Sequence, residues 1–212
     1  PGDELLAVNS HPVRDVVDVQ YYAAEPDLEL LVRRQGKIRR FEAERDPELP
    51  LGLLFEHPTF DTDIRRCNNR CPFCFVAQMA PPRCGLALRE GLGLGPGEPL
   101  RRTLYIPDDD YRYSFLEGHY VTLTNLSEAD WERIAEQRLS PLYVSVHATD
   151  LALRRELLGN PEAPDVMEQL RWLASQEIEV HTQLVIVPGL NDGPHLQRSV
   201  EELMALWPAG MI

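Results

Sequence analysis

Strand and helix patterns alternate along the chain from residue 120 onward, and this alternation restricts the fold more than any other feature of the sequence. Three apolar stretches predict strands at residues 120–126, 142–148 and 180–188. A helical pattern with one apolar face follows each of them. Since parallel strands need long crossover connections, the alternation predicts a parallel sheet, either doubly wound or closed as an α/β barrel. Active sites of such folds gather at the carboxyl ends of the strands.

Capping residues predict where the helices begin and end. Ser127 and Asp130 fit a capping box. Asp150 fits the N-cap of a second helix, and Gly159 fits the left-handed residue that ends it. Pro194 opens the last helix. The apolar residues of that last helix predict one buried face, formed by Leu196, Val200, Leu203 and Met204.

Residues 1–48 predict a small β-rich domain that precedes an α/β domain of residues 49–212. An apolar strand is expected at residues 5–8, and a hairpin is expected to turn at Gln35 and Gly36. The opening segment, PGDELLAVNSHPV, resembles a PDZ domain, which implies a peptide or protein partner. The carboxylate-binding loop of PDZ domains lies upstream of the matching strand, so no peptide-binding residue is transferred.

A glycine-rich stretch at residues 83–100 interrupts the α/β domain. It lacks a sustained period and therefore predicts a mobile loop. Neither GxxxxGK[ST] nor GxGxxG occurs in the sequence, so phosphate-binding loops of those types are not expected.

The acidic composition limits the partners of the protein. A net charge of −13, with 21 Lys and Arg residues in short clusters only, disfavours a nucleic-acid partner. The sequence contains no run of about 18 apolar residues, so no membrane helix is predicted. The first residues also lack a signal-peptide pattern. We therefore expect a cytoplasmic protein without a membrane partner. The chain begins without Met and stops after WPAGMI, so we expect a fragment of a longer protein.

Three cysteines, Cys67, Cys71 and Cys74, stand in one short segment with the spacing C-x3-C-x2-C. Thiolates suit iron–sulfur clusters and zinc, and Pro72 favours a turned backbone around such a centre. Three ligands on a four-iron cluster would leave one iron open to a small molecule. Two alternatives stay open: structural zinc with Cys84 or a histidine as fourth ligand, and cysteines that bind no metal.

The segment CNNRCPFC resembles the signature of the radical S-adenosylmethionine (radical SAM) superfamily. The resemblance implies a partial (β/α) barrel in which Cys67, Cys71 and Cys74 hold a 4Fe-4S cluster. It also implies that SAM chelates the fourth iron and that Phe73 lies near the adenine. Reduction of the cluster by an electron donor such as a flavodoxin or a ferredoxin would then cleave SAM to a 5′-deoxyadenosyl radical, which attacks an unknown substrate.

Polar residues at the predicted strand ends resemble the SAM-contacting positions of these barrels. The segment YVSVHAT resembles the fourth strand, and VIVPGLND resembles the fifth-strand region. With the end of the first predicted strand, they supply the candidates Asn125, Ser145, His147, Gln183, Gly189 and Asn191. Each has a structural alternative: Ser145 and His147 as hydrogen-bonded core residues, and Gly189 and Asn191 as parts of a turn.

One part of the radical SAM pattern is missing. The second strand of these barrels normally ends in Gly-Gly-Glu, which binds the SAM amino group. The PGEP segment at residues 96–99 is only superficially similar, because no strand pattern precedes it.

Three adjacent carboxylates, Asp108, Asp109 and Asp110, predict a solvated loop, because neighbouring like charges repel and prefer water. In the functional alternative, one Asp and a neighbouring Tyr reach a substrate for proton transfer or bind a second metal.

The order of these parts resembles one bacterial family in which a PDZ-like unit precedes a radical SAM-like iron–sulfur domain and a C-terminal domain of unknown function. Two functions therefore stay open. The first is an iron–sulfur enzyme, an oxidoreductase or transferase, that cleaves SAM. The second is a non-catalytic adaptor with a structural or redox-sensing metal site. Metal content and SAM binding discriminate between them.

Overall fold

The computed structural model describes residues 2–47, 49–55, 64–78 and 108–206. The chain divides into two compact units, Pro1–Asp63 and Ile64–Ile212. The predicted loop at 83–100, with Cys84 and the PGEP segment, lies outside the described residues. Within the described residues no helix combines the length and the apolar character needed to cross a membrane.

The first unit is a four-stranded antiparallel sheet with one helix, in the strand order β2-β1-β3-β4. Its elements are β1 (Glu4–Val8), β2 (His11–Pro12), α1 (Val16–Tyr22), β3 (Asp27–Arg34) and β4 (Lys37–Glu44). Gln35 and Gly36 both have positive φ angles, 50° and 74°, as a two-residue type I′ turn requires. The predicted hairpin is confirmed. Its small core consists of Val8, Val19, Ala23 and Leu28.

The second unit alternates strands and helices around a short parallel sheet. Its elements are α2 (Phe75–Gln78), α3 (Tyr111–Glu117), α4 (Glu128–Glu136), β5 (Leu142–Ser145), α5 (Leu151–Leu158), α6 (Val166–Ser175), β6 (Val180–Gln183) and α7 (Pro194–Met204). β5 pairs in parallel with β6, and Val121 forms a parallel bridge to Val144. Tyr143 and Ser145 form backbone hydrogen bonds with Val121, whereas Leu142 N donates to Glu179 O on the side of β6. β5 therefore lies between the Val121 segment and β6. The predicted parallel order of the three segments is confirmed.

The strands are shorter than the apolar stretches in the sequence. The first predicted strand is reduced to the bridge at Val121, and the third ends at Gln183. The second ends at Ser145 because His147 has a left-handed φ of 65°, which turns the chain out of the sheet. The polar residues that follow each segment therefore lie in loops at the carboxyl edge.

The predicted ends of α5 are confirmed, while the predicted buried face of α7 is wrong. The Asp150 carboxylate accepts from Leu153 N at 2.9 Å, and Gly159 is left-handed with a φ of 56°. On α7, however, the Val200 and Met204 side chains are 39% and 67% exposed.

The buried residue of α7 is Ser199, whose hydroxyl accepts a hydrogen bond from Thr149 N at 3.2 Å. The hydrogen bond between Ser199 and Thr149 therefore attaches α7 to the rest of the unit. Leu196 and Leu203 are only half-buried.

Candidate metal centre

The cysteine loop, residues 66–74, runs directly before α2. The thiols of Cys67, Cys71 and Cys74 are free and half-buried. Cys74 N donates to Cys71 O at 3.1 Å, so the residues between them form a tight turn. Among the described residues, no three His, Cys, Asp or Glu side chains are grouped so as to hold a metal ion. The donor set of this loop, three thiols within eight residues, still matches the chemistry of an iron–sulfur ligand loop.

One side of the cysteine loop is attached to the end of α5. Arg70 N donates to Leu158 O at 2.7 Å, and the Cys71 thiol lies 3.8 Å from the same oxygen. Leu158 is the last residue of α5, so its carbonyl has no partner within the helix. The loop supplies that partner, and the position of α5 sets the position of the loop.

The other side of the cysteine loop is attached to the carboxyl edge of the sheet. Asn69 Nδ2 donates to Thr122 Oγ1 at 2.8 Å and to Thr124 Oγ1 at 2.9 Å. Asn160 Nδ2 in turn donates to Asn69 Oδ1 at 2.9 Å. Because Thr122 directly follows Val121, these bonds hold the loop at the edge where the sequence predicts a site.

Asn69 also contacts a thiol. Its Nδ2 lies 3.3 Å from Cys67 Sγ and donates to it, and because the amide has two N–H groups for three acceptors, one N–H is shared with a threonine hydroxyl. Hydrogen bonds to sulfur are among the features that set the potential of an iron–sulfur cluster. Asn69 therefore joins a cysteine of the loop to the strand end.

The thiols of Cys67 and Cys71 are protonated at neutral pH, because the pKa of each is raised. Burial, with smaller contributions from Cys67 and Cys74, raises the pKa of the Cys71 thiol to about 11. Burial also raises the pKa of Cys67, and the Asp109 carboxylate adds to this effect. A metal that binds here must displace these protons, so its affinity increases with pH.

Two buried charges meet at Thr122, the residue that also holds Asn69. The Asp109 carboxylate accepts from Thr122 N at 2.6 Å and from Thr122 Oγ1 at 2.5 Å. Burial raises the pKa of Asp109. The fully buried Arg154 donates to Thr122 O at 2.8 Å and to the carbonyl oxygens of Val146 and Ser145.

The prediction of a solvated loop at residues 108–110 is wrong. Asp109 and Asp110 are buried. Asp110 caps α3 and accepts from the Arg112 guanidinium at 2.7 Å and from Arg65 N at 3.0 Å. These carboxylates are buried because the fold brings a donor to each of them.

Phe73 and His147 join the cysteine loop to the end of β5. Their ring centroids are 4.9 Å apart, in an edge-to-face arrangement. His147 Nδ1 accepts from Val185 N at 3.2 Å. Burial, together with the nearby Arg154 charge, lowers the pKa of His147 to about 4. The imidazole is therefore neutral at pH 7, with its proton on Nε2.

The remaining candidates differ in their surroundings. Asn125 Nδ2 donates to Arg66 O at 3.1 Å and to Asp109 O at 3.0 Å. Its Oδ1 is buried without a hydrogen-bond partner among the described residues. Ser145 is buried at the end of β5.

Three candidates lie at the end of β6 or in the loop that follows it, next to His147. Asn191 Nδ2 donates to His147 O at 2.8 Å and to Val185 O at 2.9 Å, and its Oδ1 accepts from Val187 N. The Gln183 carbonyl accepts from His147 N. Gly189 N donates to the Asp192 carboxylate in a turn with a φ of 81°. Of the three, Asn191 has a structural role, because its amide nitrogen and oxygen both form hydrogen bonds to the backbone.

Sequence reasoning missed the contacts that four residues make in this site: Asn69, Thr122, Asp109 and Arg154. The only local signal was the Asn-Asn pair between the first two cysteines, because Asn favours turns and binds backbone and hydroxyl groups. The other three depend on contacts between residues far apart in the chain.

The fold and the site together define a class. A parallel α/β unit with a C-x3-C-x2-C loop at the carboxyl edge of its strands is an arrangement of the radical SAM kind. The family model of the Radical SAM-like domain matches residues 45–91 and 96–211, and the chain belongs to this family. A search of the curated proteins finds no match.

Proposed function

We propose that this protein is an iron–sulfur enzyme of the radical SAM type, with a 4Fe-4S cluster on Cys67, Cys71 and Cys74. One observation carries the proposal. The cysteine loop is hydrogen-bonded through Asn69 to the end of the first strand segment, and its Phe73 contacts His147 at the end of the second. Family membership supports the same cofactors, the cluster and SAM.

Cys67, Cys71 and Cys74 would hold the cluster, which would supply one electron for reductive cleavage of the S–C5′ bond of SAM to methionine and a 5′-deoxyadenosyl radical. The residues of the chain prepare this chemistry. Asn69 donates to Cys67 Sγ and thereby stabilises the thiolate form. Phe73 packs on the apolar cluster of Ala148, Leu153 and Leu157, which excludes water from one side of the loop. The electron comes from an external donor such as a flavodoxin or a ferredoxin.

We assign SAM to the strand ends beside the cysteine loop. His147 presents a neutral imidazole whose Nε2 proton is available to an acceptor. Asn125 Oδ1 is a buried acceptor that has no hydrogen-bond partner among the described residues. Such a group lowers the stability of the folded chain unless a donor reaches it. We propose that it receives the SAM ammonium group, the role that Gly-Gly-Glu fills elsewhere. Ser145, Gln183 and Gly189 shape the same edge.

The second candidate function is a non-catalytic adaptor with a structural or redox-sensing centre of iron–sulfur or zinc. The observation in its favour is the first unit, which we propose to be PDZ-like. Its strand β4 is exposed over its whole length, and an exposed sheet edge is a common docking site for an extended peptide. In this function SAM is not cleaved.

Metal analysis and product analysis separate the two functions. The chain is purified without oxygen and assayed for iron, sulfide and zinc, and then for 5′-deoxyadenosine after addition of dithionite and SAM. The enzyme predicts roughly four irons per chain and reductant-dependent 5′-deoxyadenosine. Zinc in place of iron, or a loaded cluster that forms no 5′-deoxyadenosine, would support the adaptor.

A further inference from the structure

A groove with a volume of about 610 Å³ lies along α4 and α6. None of its lining residues belongs to the candidate metal centre. Its chemistry comes from two tryptophans, three glutamates and one glutamine: Trp131, Trp172, Glu128, Glu132, Glu168 and Gln169.

The two tryptophans form an aromatic corner in this groove. Trp131 on α4 and Trp172 on α6 have ring centroids 5.0 Å apart and planes inclined at 75°. Both side chains are half-exposed. Tryptophan is the side chain whose ring face attracts cations most strongly. The corner therefore offers an aromatic surface to a positively charged group.

The rim of the groove carries only negative charge. Glu128 and Glu132 are one helical turn apart on α4, and Glu168 faces the same groove from α6. Among the described residues, none of the three forms an ion pair. Like charges at this helical spacing destabilise a helix. No cation of the described residues therefore contacts these three carboxylates directly.

Gln169 adds a hydrogen-bond acceptor to the groove. Its Nε2 donates to Leu123 O at 2.9 Å, which defines the orientation of the amide. Its Oε1 is buried and has no partner among the described residues. A buried carbonyl oxygen without a donor is costly, so an N–H or O–H group that reaches Gln169 Oε1 would be favoured.

We propose that this groove binds an arginine side chain of a basic partner protein. A guanidinium group is planar and stacks on a tryptophan face. It also carries five N–H donors, enough to serve a carboxylate and the Gln169 carbonyl together. A quaternary ammonium would satisfy the tryptophans but leave Gln169 Oε1 without a donor. The net charge of −13 favours a basic protein as the source of the arginine.

Peptide titrations of the full chain test this assignment. The probe is the acetylated and amidated peptide Lys-Gly-Arg-Gly-Lys, compared with the peptide in which citrulline, a neutral isostere, replaces arginine. Binding is followed by tryptophan fluorescence at low salt. We expect the citrulline peptide to bind at least about tenfold more weakly. Equal affinities would overturn the proposal. Free arginine amide that binds as tightly as the peptide would overturn the assignment to a protein partner.

Two charge-matched variants separate the groove from the overall charge. E128Q/E132Q/E168Q removes the three carboxylates and keeps both tryptophans. E25Q/E162Q/E201Q removes three exposed carboxylates elsewhere. We expect the first variant to lose about tenfold or more in affinity for the arginine peptide and the second to stay near the unmodified chain. Circular dichroism checks that both fold. Equal losses would mean that the net charge attracts the peptide, and would overturn the groove as its site.

Discussion

Gly159, the residue that ends α5, lies against the carbonyl oxygen of Arg70 in the cysteine loop, so that a Cβ on Gly159 would stand 2.7 Å from that oxygen. Real Cβ atoms do not approach a backbone oxygen so closely. Gly159 also has a φ of 56°, which suits glycine far better than other residues. The loop therefore reaches its place because one glycine ends the helix beneath it.

Gly159→Ala is expected to displace the cysteine loop. The clash is with backbone rather than with a flexible side chain, so we expect the free energy of unfolding to fall by about 1–3 kcal/mol and the iron content to fall with it. Gly36→Ala is the matched control, because Gly36 has a φ of 74° with no atom near its Cβ position. Chemical denaturation and iron analysis measure both effects. An unchanged iron content in Gly159→Ala would contradict this account of the loop.

The hydrogen bond from Asn69 to Cys67 Sγ is expected to raise the reduction potential of a bound cluster. Asn69→Ala removes a donor to sulfur, and we expect the potential to fall by about 60 mV, the equivalent of roughly 1.4 kcal/mol. The control is Asn68→Ala, because Asn68 bonds Thr124 but no cysteine. A redox titration followed by magnetic resonance gives both potentials. Equal shifts in the two variants would show that loop position, and not the bond to sulfur, is responsible.

The buried His147 is expected to make stability depend on pH between 6.5 and about 4. Its pKa is lowered from 6.5 to about 4 in the folded chain. Between these values the unfolded chain binds a proton that the folded chain excludes. The stabilisation is therefore complete above pH 6.5 and is lost as the pH falls, by at most about 1.4 kcal/mol per pH unit.

His147→Asn removes this titration. Asn tolerates the left-handed φ of this position better than most residues. Denaturant unfolding of both chains at several pH values gives the difference in slope, and the opposite effect of Asp109, whose pKa is raised, cancels because both chains contain it. Identical slopes would mean that His147 titrates as an ordinary histidine.

Local features of the fold could be predicted from the sequence. The turn at Gln35 and Gly36 and the ends of α5 at Asp150 and Gly159 depend on neighbouring residues, so the local sequence contains the information. The parallel order of the three strand segments could also be predicted from the sequence, because the alternation of strands and helices permits few other arrangements.

Long-range contacts could not be predicted. Asp109 is buried because Thr122, far along the chain, donates twice to its carboxylate, and no periodicity reports such a pair. The face of α7 was mispredicted for the same reason, because Ser199 meets Thr149 across the fold. The three cysteines were recognised from spacing alone, whereas their attachment through Asn69 and Arg70 required the structure.

Cys84 is expected to be dispensable for a 4Fe-4S cluster. It lies outside the described residues and outside the C-x3-C-x2-C segment. Cys84→Ala should keep roughly four irons per chain, while alanine at Cys67, Cys71 or Cys74 should lose most of them. Anaerobic iron and sulfide analysis of the four variants measures this. Structural zinc needs four protein ligands, so a zinc site would lose as much metal in Cys84→Ala as in the other variants. Equal metal loss in all four variants would therefore reject the cluster.

The most direct test of the central claim is the magnetic resonance spectrum of the reduced, iron-loaded chain before and after addition of SAM. If three cysteines leave one iron open and SAM binds it, the signal of the reduced cluster changes saturably with SAM. We expect this change to weaken in Asn125→Leu, which removes the proposed acceptor for the SAM ammonium group. A fully loaded, reduced cluster whose spectrum is unaffected by SAM at any concentration would contradict the assignment of this protein as a SAM-cleaving enzyme.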